Sequence, residues 1–398
     1  MKNLSLISGF TACCLSATSS MAGSSAVSGK SPGAPSSGGY WRVSGGYMHR
    51  SLGDVNWATG SHSNLSMLQI GAGSNTPGID AIGPADAFAD RTYRDGFVFR
   101  DGGTAAGGDT WYWGYNNASQ VNGGLISFIG GNGTAATFGQ NENAEYSGWS
   151  EKLDGNAPYV QLEWIVPVND SLSYGWQGAF SFLSSGVSNR LSNFSASKNR
   201  TDWAISYTDT YDLQGSIAPL APYSGTMGGP GILLTNIPGS RVSSQVISGT
   251  ESVSGTNEIH SEFDVNLWSL SFGPVLEFHR GPFFLTASAG LTVNIADWDG
   301  EQSETLNMTH VISGPPGPGQ VGDTTFSSRS WHDRDSGTDV FPGFFMQAAL
   351  SRELNEQWTV NAFGRYDWTG TVDVGAGPST AEASLSGWSI GAGLGYRF

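Results

Sequence analysis

The final segment of the chain alternates without a break. Trp388, Ile390, Ala392, Leu394, Tyr396 and Phe398 form an apolar row, and Ser389, Gly391, Gly393, Gly395 and Arg397 form a small or polar one. A period of two belongs to a strand with one apolar face. The same rhythm recurs in Trp41-Val43-Gly45-Tyr47, in Val160-Leu162-Trp164-Val166-Val168 and in Tyr174-Trp176-Gly178-Phe180-Phe182. It returns in Phe283 to Ile295, in Phe344-Met346-Ala348-Leu350 and in Trp358 to Trp368. A chain written this way is committed to strands.

Composition narrows the surroundings of those strands. The chain is 12% aromatic, only 13% charged, and carries 57 Gly, which argues against disorder and suits strands, tight turns and aromatic girdles. No run approaches the ~18 apolar residues that a spanning helix needs. If the chain spans a membrane, it does so as a closed barrel, because only closure satisfies every backbone group in lipid. The net charge of −16 excludes a nonspecific nucleic-acid binder, which needs a basic surface.

The N-terminus reads as an export address. Lys2 precedes a mostly apolar stretch from Leu4 to Leu15, and Ser20-Met21-Ala22 has the form of a signal-peptidase site. Residues 1–22 are thus the expected signal peptide and 23–39 a flexible Gly/Ser/Pro leader, with a single domain over 40–398. Both cysteines, Cys13 and Cys14, fall in the signal segment. Phe10-Thr11-Ala12-Cys13 is a poor lipobox that offers lipidation as a competing fate.

The alternating last strand ending in Phe398 resembles the C-terminal signature of Gram-negative outer-membrane β-barrels. The resemblance implies an outer-membrane location, with lipid and lipopolysaccharide as surroundings. It also implies that the assembly machinery recognises the row Trp388, Ile390, Leu394, Tyr396 and Phe398.

Connection lengths and parity fix the topology. Short turns at Asn169-Asp170-Ser171, His279-Arg280-Gly281 and Arg352 to Gln357 alternate with long connections. The long ones run from Ser184 to Glu258, Asp297 to Thr338 and Thr369 to Glu382. Short turns inside and long loops outside are what such a barrel requires. Segments starting at Trp41, Val160, Tyr174, Phe263, Phe283, Phe344, Trp358 and Trp388 obey the alternation of direction. Thr110 to Tyr115 with Leu125 to Ile129, and Trp203 to Leu213 with Val242 to Ile247, are candidates for further pairs. The expected fold is all-β: an antiparallel up-and-down transmembrane barrel of about ten strands, within a range of roughly eight to twelve. Near Trp268 the apolar row changes face, from Phe263, Val265 and Leu267 to Leu270, Phe272 and Leu276, which predicts a β-bulge.

The interior decides function. Arg42, Glu163, Glu262, Asp264, Arg365, Asp367 and Arg397 are the charged residues expected on the lumen side. They read either as the lining of a narrow porin-like channel for small, cation-favoured solutes or as a plug in which arginines neutralise carboxylates. With a plug, the protein is a non-conducting structural or adhesive barrel whose long loops bind external partners. Asp333, Asp335 and Asp339 around Gly337, read as part of a long loop, have a spacing that can wrap Ca²⁺, although no loop-closing Glu follows. The six histidines show no zinc spacing and no G-x-S-x-G elbow occurs, so neither an enzyme nor a cofactor is expected.

Overall fold

The computed structural model describes residues 38–78, 82–102, 108–145, 147–314 and 322–398. The expected signal peptide and most of the leader lie outside the described residues. The long strands are β1 (Tyr40–Thr59), β2 (Leu125–Ala144), β3 (Ser147–Asn169), β4 (Leu172–Leu191), β5 (Phe194–Asp212) and β6 (Ser240–Arg280). They continue with β7 (Phe283–Ser313), β8 (Asp323–Glu353), β9 (Trp358–Trp368), β10 (Thr371–Ala376), β11 (Ser379–Ser384) and β12 (Gly387–Arg397).

Antiparallel ladders close a ring in the order β1-β3-β4-β6-β7-β8-β9-β12 and back to β1. The ring therefore has eight strands, built from the segments that obeyed parity, and not the expected ten. Neither candidate extra pair enters it. The Trp203 row lies in β5, which does pair with β6 at Trp203↔Ile247 but continues outward to β2. Thr110 and Trp113–Tyr115 join short strands elsewhere, and Leu125 to Ile129 opens β2 against β5 rather than against them. From these rows Trp113, Tyr115, Phe128 and Tyr211 are buried in an outlying lobe, and alternation alone does not say which sheet a row joins.

One end of the ring carries the short turns between β3 and β4, β6 and β7, and β8 and β9, with Gly281 at φ +62° in the second. From this end a belt of outward apolar side chains rises over the ring. It includes Val160, Leu162, Tyr174, Trp176, Leu270, Phe272, Leu285, Leu291, Met346, Leu350, Ile390 and Leu394. Aromatic contacts edge the belt: Trp41 with Trp164 and Trp358 with Tyr396 at the short-turn end, Phe182 with Trp268 and Tyr366 with Trp368 at the other. The outward row of β12, from Trp388 to Phe398, lies in this belt. Among the described residues no helix is long and apolar enough to cross a membrane; the belt-bearing elements are strands.

Beyond the belt, most of the expected long loops are strands. β6, β7 and β8 run on, with ladders reaching Thr250↔Ser313 and Ile312↔Asp323. Pairing between β3 and β4 stops at Tyr159↔Ser181, and pairing between β8 and β9 stops at Phe344↔Trp368. The ring thus opens into two walls, one of β4, β6, β7 and β8 extended by β5 and β2, the other of β3, β1, β11 and β10. Their facing sides share an apolar core of Leu52, Val55, Trp57, Leu153, Leu183, Phe263, Val265, Leu267, Trp298 and Val374.

This arrangement explains the change of face near Trp268 without a bulge. Register passes unbroken through Leu267↔Leu183, Trp268↔Phe182 and Ser269↔Ser181. The backbone keeps its phase while the surroundings invert. Below Trp268 the outward residues meet the belt; above it Phe263, Val265 and Leu267 turn inward to the core between the walls. The expectation of a bulge assumed one apolar surface, whereas the strand has two.

Candidate functional site

Inside the belt the lumen is filled in three layers. At the short-turn end, Arg42 stands opposite Glu163 in the β1–β3 ladder and donates to Glu163 and, across the lumen, to Glu277, each at 2.6 Å. Tyr40 donates to Glu277 at 3.2 Å, and His279 pairs with it at 2.9 Å. The Arg42 guanidinium also lies over the Phe284 ring, 4.7 Å from its centre. The next layer is neutral. Gln161 donates to Gln177 at 3.0 Å, Gln347 donates to Gln161 at 3.2 Å, and Tyr159 donates to Asn361 at 2.9 Å. Above it Arg365 grips Asp367 at 2.6 Å and Ser271 at 3.0 Å, with Arg50 3.9 Å from Asp367 and donating to Ser269 at 2.8 Å.

Three buried arginines (Arg42, Arg50 and Arg365) therefore face three buried carboxylates (Glu163, Glu277 and Asp367). A buried charge is tolerated only when paired and hydrogen-bonded; Arg42 and Arg365 meet the condition, whereas Arg50 lies 3.9 Å from Asp367 and its Nε and Nη2 have no hydrogen-bond partner among the described residues. The hollow left among Met48, Tyr159, Gln161, Phe363 and Arg365 measures about 10 Å³, which is room for about one water.

The expected lining residues divide accordingly. Arg42, Glu163, Arg365 and Asp367 lie in the lumen, the first two paired in one layer and the last two in another. Glu262 and Asp264 do not: they point outward, opposite Glu301 and Asp299 of β7. With no bulge in β6 between Ile259 and Phe278, residues of even number keep the outward side there, and the inward places go to Phe263 and Val265. Arg397 stands exposed at the short-turn mouth, 3.7 Å from the centre of the Tyr40 ring. Glu277 and Arg50 were not among the expected lining residues, although parity from Leu276 and from Arg42 places both on the inward row.

Asp333, Asp335 and Asp339 fall on β8, not in a loop, so their spacing is that of an extended strand rather than of a cation-wrapping turn. Each goes to a different partner: Asp333 to His62 at 2.6 Å, Asp335 to the Gly375 amide at 2.9 Å and Asp339 to the Trp298 indole at 2.8 Å. Among the described residues, no three His, Cys, Asp or Glu side chains are grouped to hold a metal ion.

Outside the belt two polar clusters pin chain to wall. Glu304, buried on β7, accepts from Ser61 Oγ at 2.6 Å, Ser63 Oγ at 2.5 Å, the His62 amide at 2.7 Å and Asn257 at 2.9 Å. Burial works against its charge, but these donors outweigh burial and hold the carboxyl below its ordinary value. In the outlying lobe Arg241 makes two 2.6 Å bonds to Asp209, to which Tyr93 also donates at 2.6 Å. Tyr93 and Tyr211 share a 2.6 Å bond, and burial pushes the Tyr211 hydroxyl up to about 12. The lobe's core packs Tyr93, Trp113, Tyr115, Phe128 and Tyr211, with a short hairpin over Arg91–Val98 that turns at Arg94-Asp95.

No family model matches the chain, and no curated protein does. Among solved structures, the outer membrane protein OprG from Pseudomonas aeruginosa is 10% identical, with 91% of this chain and 97% of that one covered and a TM-score of 0.30. Ail, the attachment invasion locus protein of Yersinia pestis, in complex with the heparin analogue sucrose octasulfate, is 13% identical over 70% of this chain and 100% of that one, with a TM-score of 0.21. The outer membrane protease OmpT from Escherichia coli is 7% identical over 90% and 97%, with a TM-score of 0.27. The chain is thus similar over most of its length to outer-membrane β-barrels, but at these scores the likeness carries no argument. What the molecule itself establishes is a closed antiparallel ring with a lipid-compatible belt, a filled lumen and a tall two-walled extension.

Proposed function

We propose that the protein is a bacterial outer-membrane barrel that does not conduct, and that its extension beyond the belt is the working part, as a structural or adhesive surface. The observation carrying this reading is the filled lumen: three arginines, three carboxylates and a neutral glutamine layer occupy it, and the hollow beside Gln161 and Arg365 measures about 10 Å³. A ring of about eight strands is filled by its own side chains, whereas about 16 leave a channel. Short turns at one end and a tall extension at the other support an outer-membrane orientation with the extension outside.

A narrow channel for small cations, the other function expected from the sequence, requires the Arg42–Glu163–Glu277 and Arg365–Asp367 groups to swing aside together. Planar-bilayer recording separates the two. The purified full chain is expected to insert without stepwise conductance, whereas reproducible ohmic steps overturn the proposal. Arg42→Ala is the informative variant, because it leaves Glu163 without its ion-pair partner and Glu277 with His279 and Tyr40 alone, and it is expected to destabilise the barrel by about 3–5 kcal/mol, read from the temperature at which its heat-modifiable gel band shifts.

A further inference from the structure

On the extension, β8 leaves a strand edge uncovered where it is also exposed on both faces. Through Asp323–Gly343, β8 pairs with β7 on one side; among the described residues no strand pairs with its other side. Nearer the belt, β10 leans on this edge through the bond from the Gly375 amide to Asp335. Farther out, from Asp323 to Ser330, every residue is exposed. Unpaired edges are templates for another strand, and proteins that must avoid such pairing usually blunt them.

The sequence of this edge is self-complementary. Phe326, 79% exposed, has Asp323 three residues before it and Arg329 three residues after it. Neither charge has an ion-pair partner among the described residues, and Arg329 rests on its neighbour Trp331. Two copies paired antiparallel about Phe326 would set Asp323 against Arg329 twice, Thr324 against Ser328 twice, Thr325 against Ser327 twice, and Phe326 against itself. Alternation puts Asp323 and Arg329 on one face and Phe326 on the other, so the charges meet each other and the two rings meet on the opposite side. Opposite charges and aromatic pairs directly across a ladder are favourable. A second edge exposed on both faces, Thr137–Ala144 of β2, carries Glu142 and no cation, so two copies of it would gain no ion pair.

We propose that this edge of β8 binds the same edge of a second copy of the chain, in trans, joining two membranes. The direction follows from symmetry. Antiparallel strands in one sheet are related by a two-fold axis perpendicular to the sheet. In a barrel wall that perpendicular is radial, so the rotation inverts the barrel axis and sets the second barrel in a facing membrane. The inference rests on the adhesive reading above and names its partner. A single short ladder is weak, and many copies on each surface supply the avidity.

The test uses the full chain displayed on Gram-negative cells that do not otherwise clump. Cells carrying the wild type are expected to settle as aggregates. Asp323→Arg cells alone and Arg329→Asp cells alone are expected to stay dispersed, because each self-pair now opposes like charges. Mixed together in two colours, these variant cells are expected to form mixed aggregates, since both crossings again oppose Arg to Asp. A heat-modifiable gel band checks the folding of each variant. Phe326→Cys provides a second reading: oxidation is expected to give a dimer band in settled cells and at least several-fold less in dispersed ones. Wild-type cells that stay dispersed, or variants that settle alone as the wild type does, overturn the edge pairing. Those results leave the non-conducting barrel standing, because conductance tests it independently.

Discussion

β6 passes through two regions of opposite character. Within the belt, Leu270, Phe272 and Leu276 face outward and Ser269, Ser271 and Glu277 face inward; beyond it, Phe263, Val265 and Leu267 face inward while Glu262 and Asp264 face outward. The backbone is continuous and its register unbroken. What differs is the location of the apolar medium: outside the ring in the membrane, between the walls above it. The lower half behaves like a membrane barrel and the upper half like a soluble sandwich, and a strand can do both because side chains alternate irrespective of what they meet.

The contrast can be broken one residue at a time. The largest effect is expected at Phe263, wholly buried in the core between the walls. Phe263→Ala should cost about 3–5 kcal/mol, read as a lower urea midpoint for loss of the extension's tryptophan signal. An unchanged midpoint would mean that the walls do not share a core. Next comes a charge on the outward row. Phe272→Arg, facing lipid, should cost about 2–4 kcal/mol, while Asp264→Arg on the same row should stay within about 0.5 kcal/mol. Asp264 already faces Asp299, and burial together with Glu262 and Asp299 pushes its carboxyl up. Equal costs at the two positions would place both in one medium.

The smallest effect depends on pH and belongs to the extension alone. Because the Glu304 carboxyl is held below its ordinary value, its contribution is present above the ordinary carboxylate range and is lost as pH falls through the depressed folded value. Acidification should therefore loosen the Gly60–Gly71 segment, read as faster proteolysis there. Glu304→Gln should show that faster cleavage already at neutral pH and little further change with acid.

Much of the ring was readable because its outward rows are apolar. Val160, Tyr174, Phe283 and Trp388 each open a row that lipid requires, and parity then ordered them. The extension escaped the same reading for a physical reason. Its outward rows are polar, as in Glu301, Ser303 and Thr305 of β7, so a search for lipid-facing rows finds a loop where there is a strand. The same boundary divides the candidate site: Arg42, Glu163, Arg365 and Asp367 lie below the inversion and face inward, whereas Glu262 and Asp264 lie above it and face outward. Glu277 lies below the inversion too and follows from parity with Leu276.

The ladders that continue from belt to tip also set how the molecule bears load. Between β6 and β7 pairing runs from Arg280↔Phe283 to Thr250↔Ser313 without passing through a hinge or linker. Ladder hydrogen bonds lie perpendicular to the strands, so tension applied at the tip along the strand direction shears many bonds at once instead of unzipping them in turn. An anchor built this way holds its tip to the membrane as one continuous fabric, with no tether to stretch first.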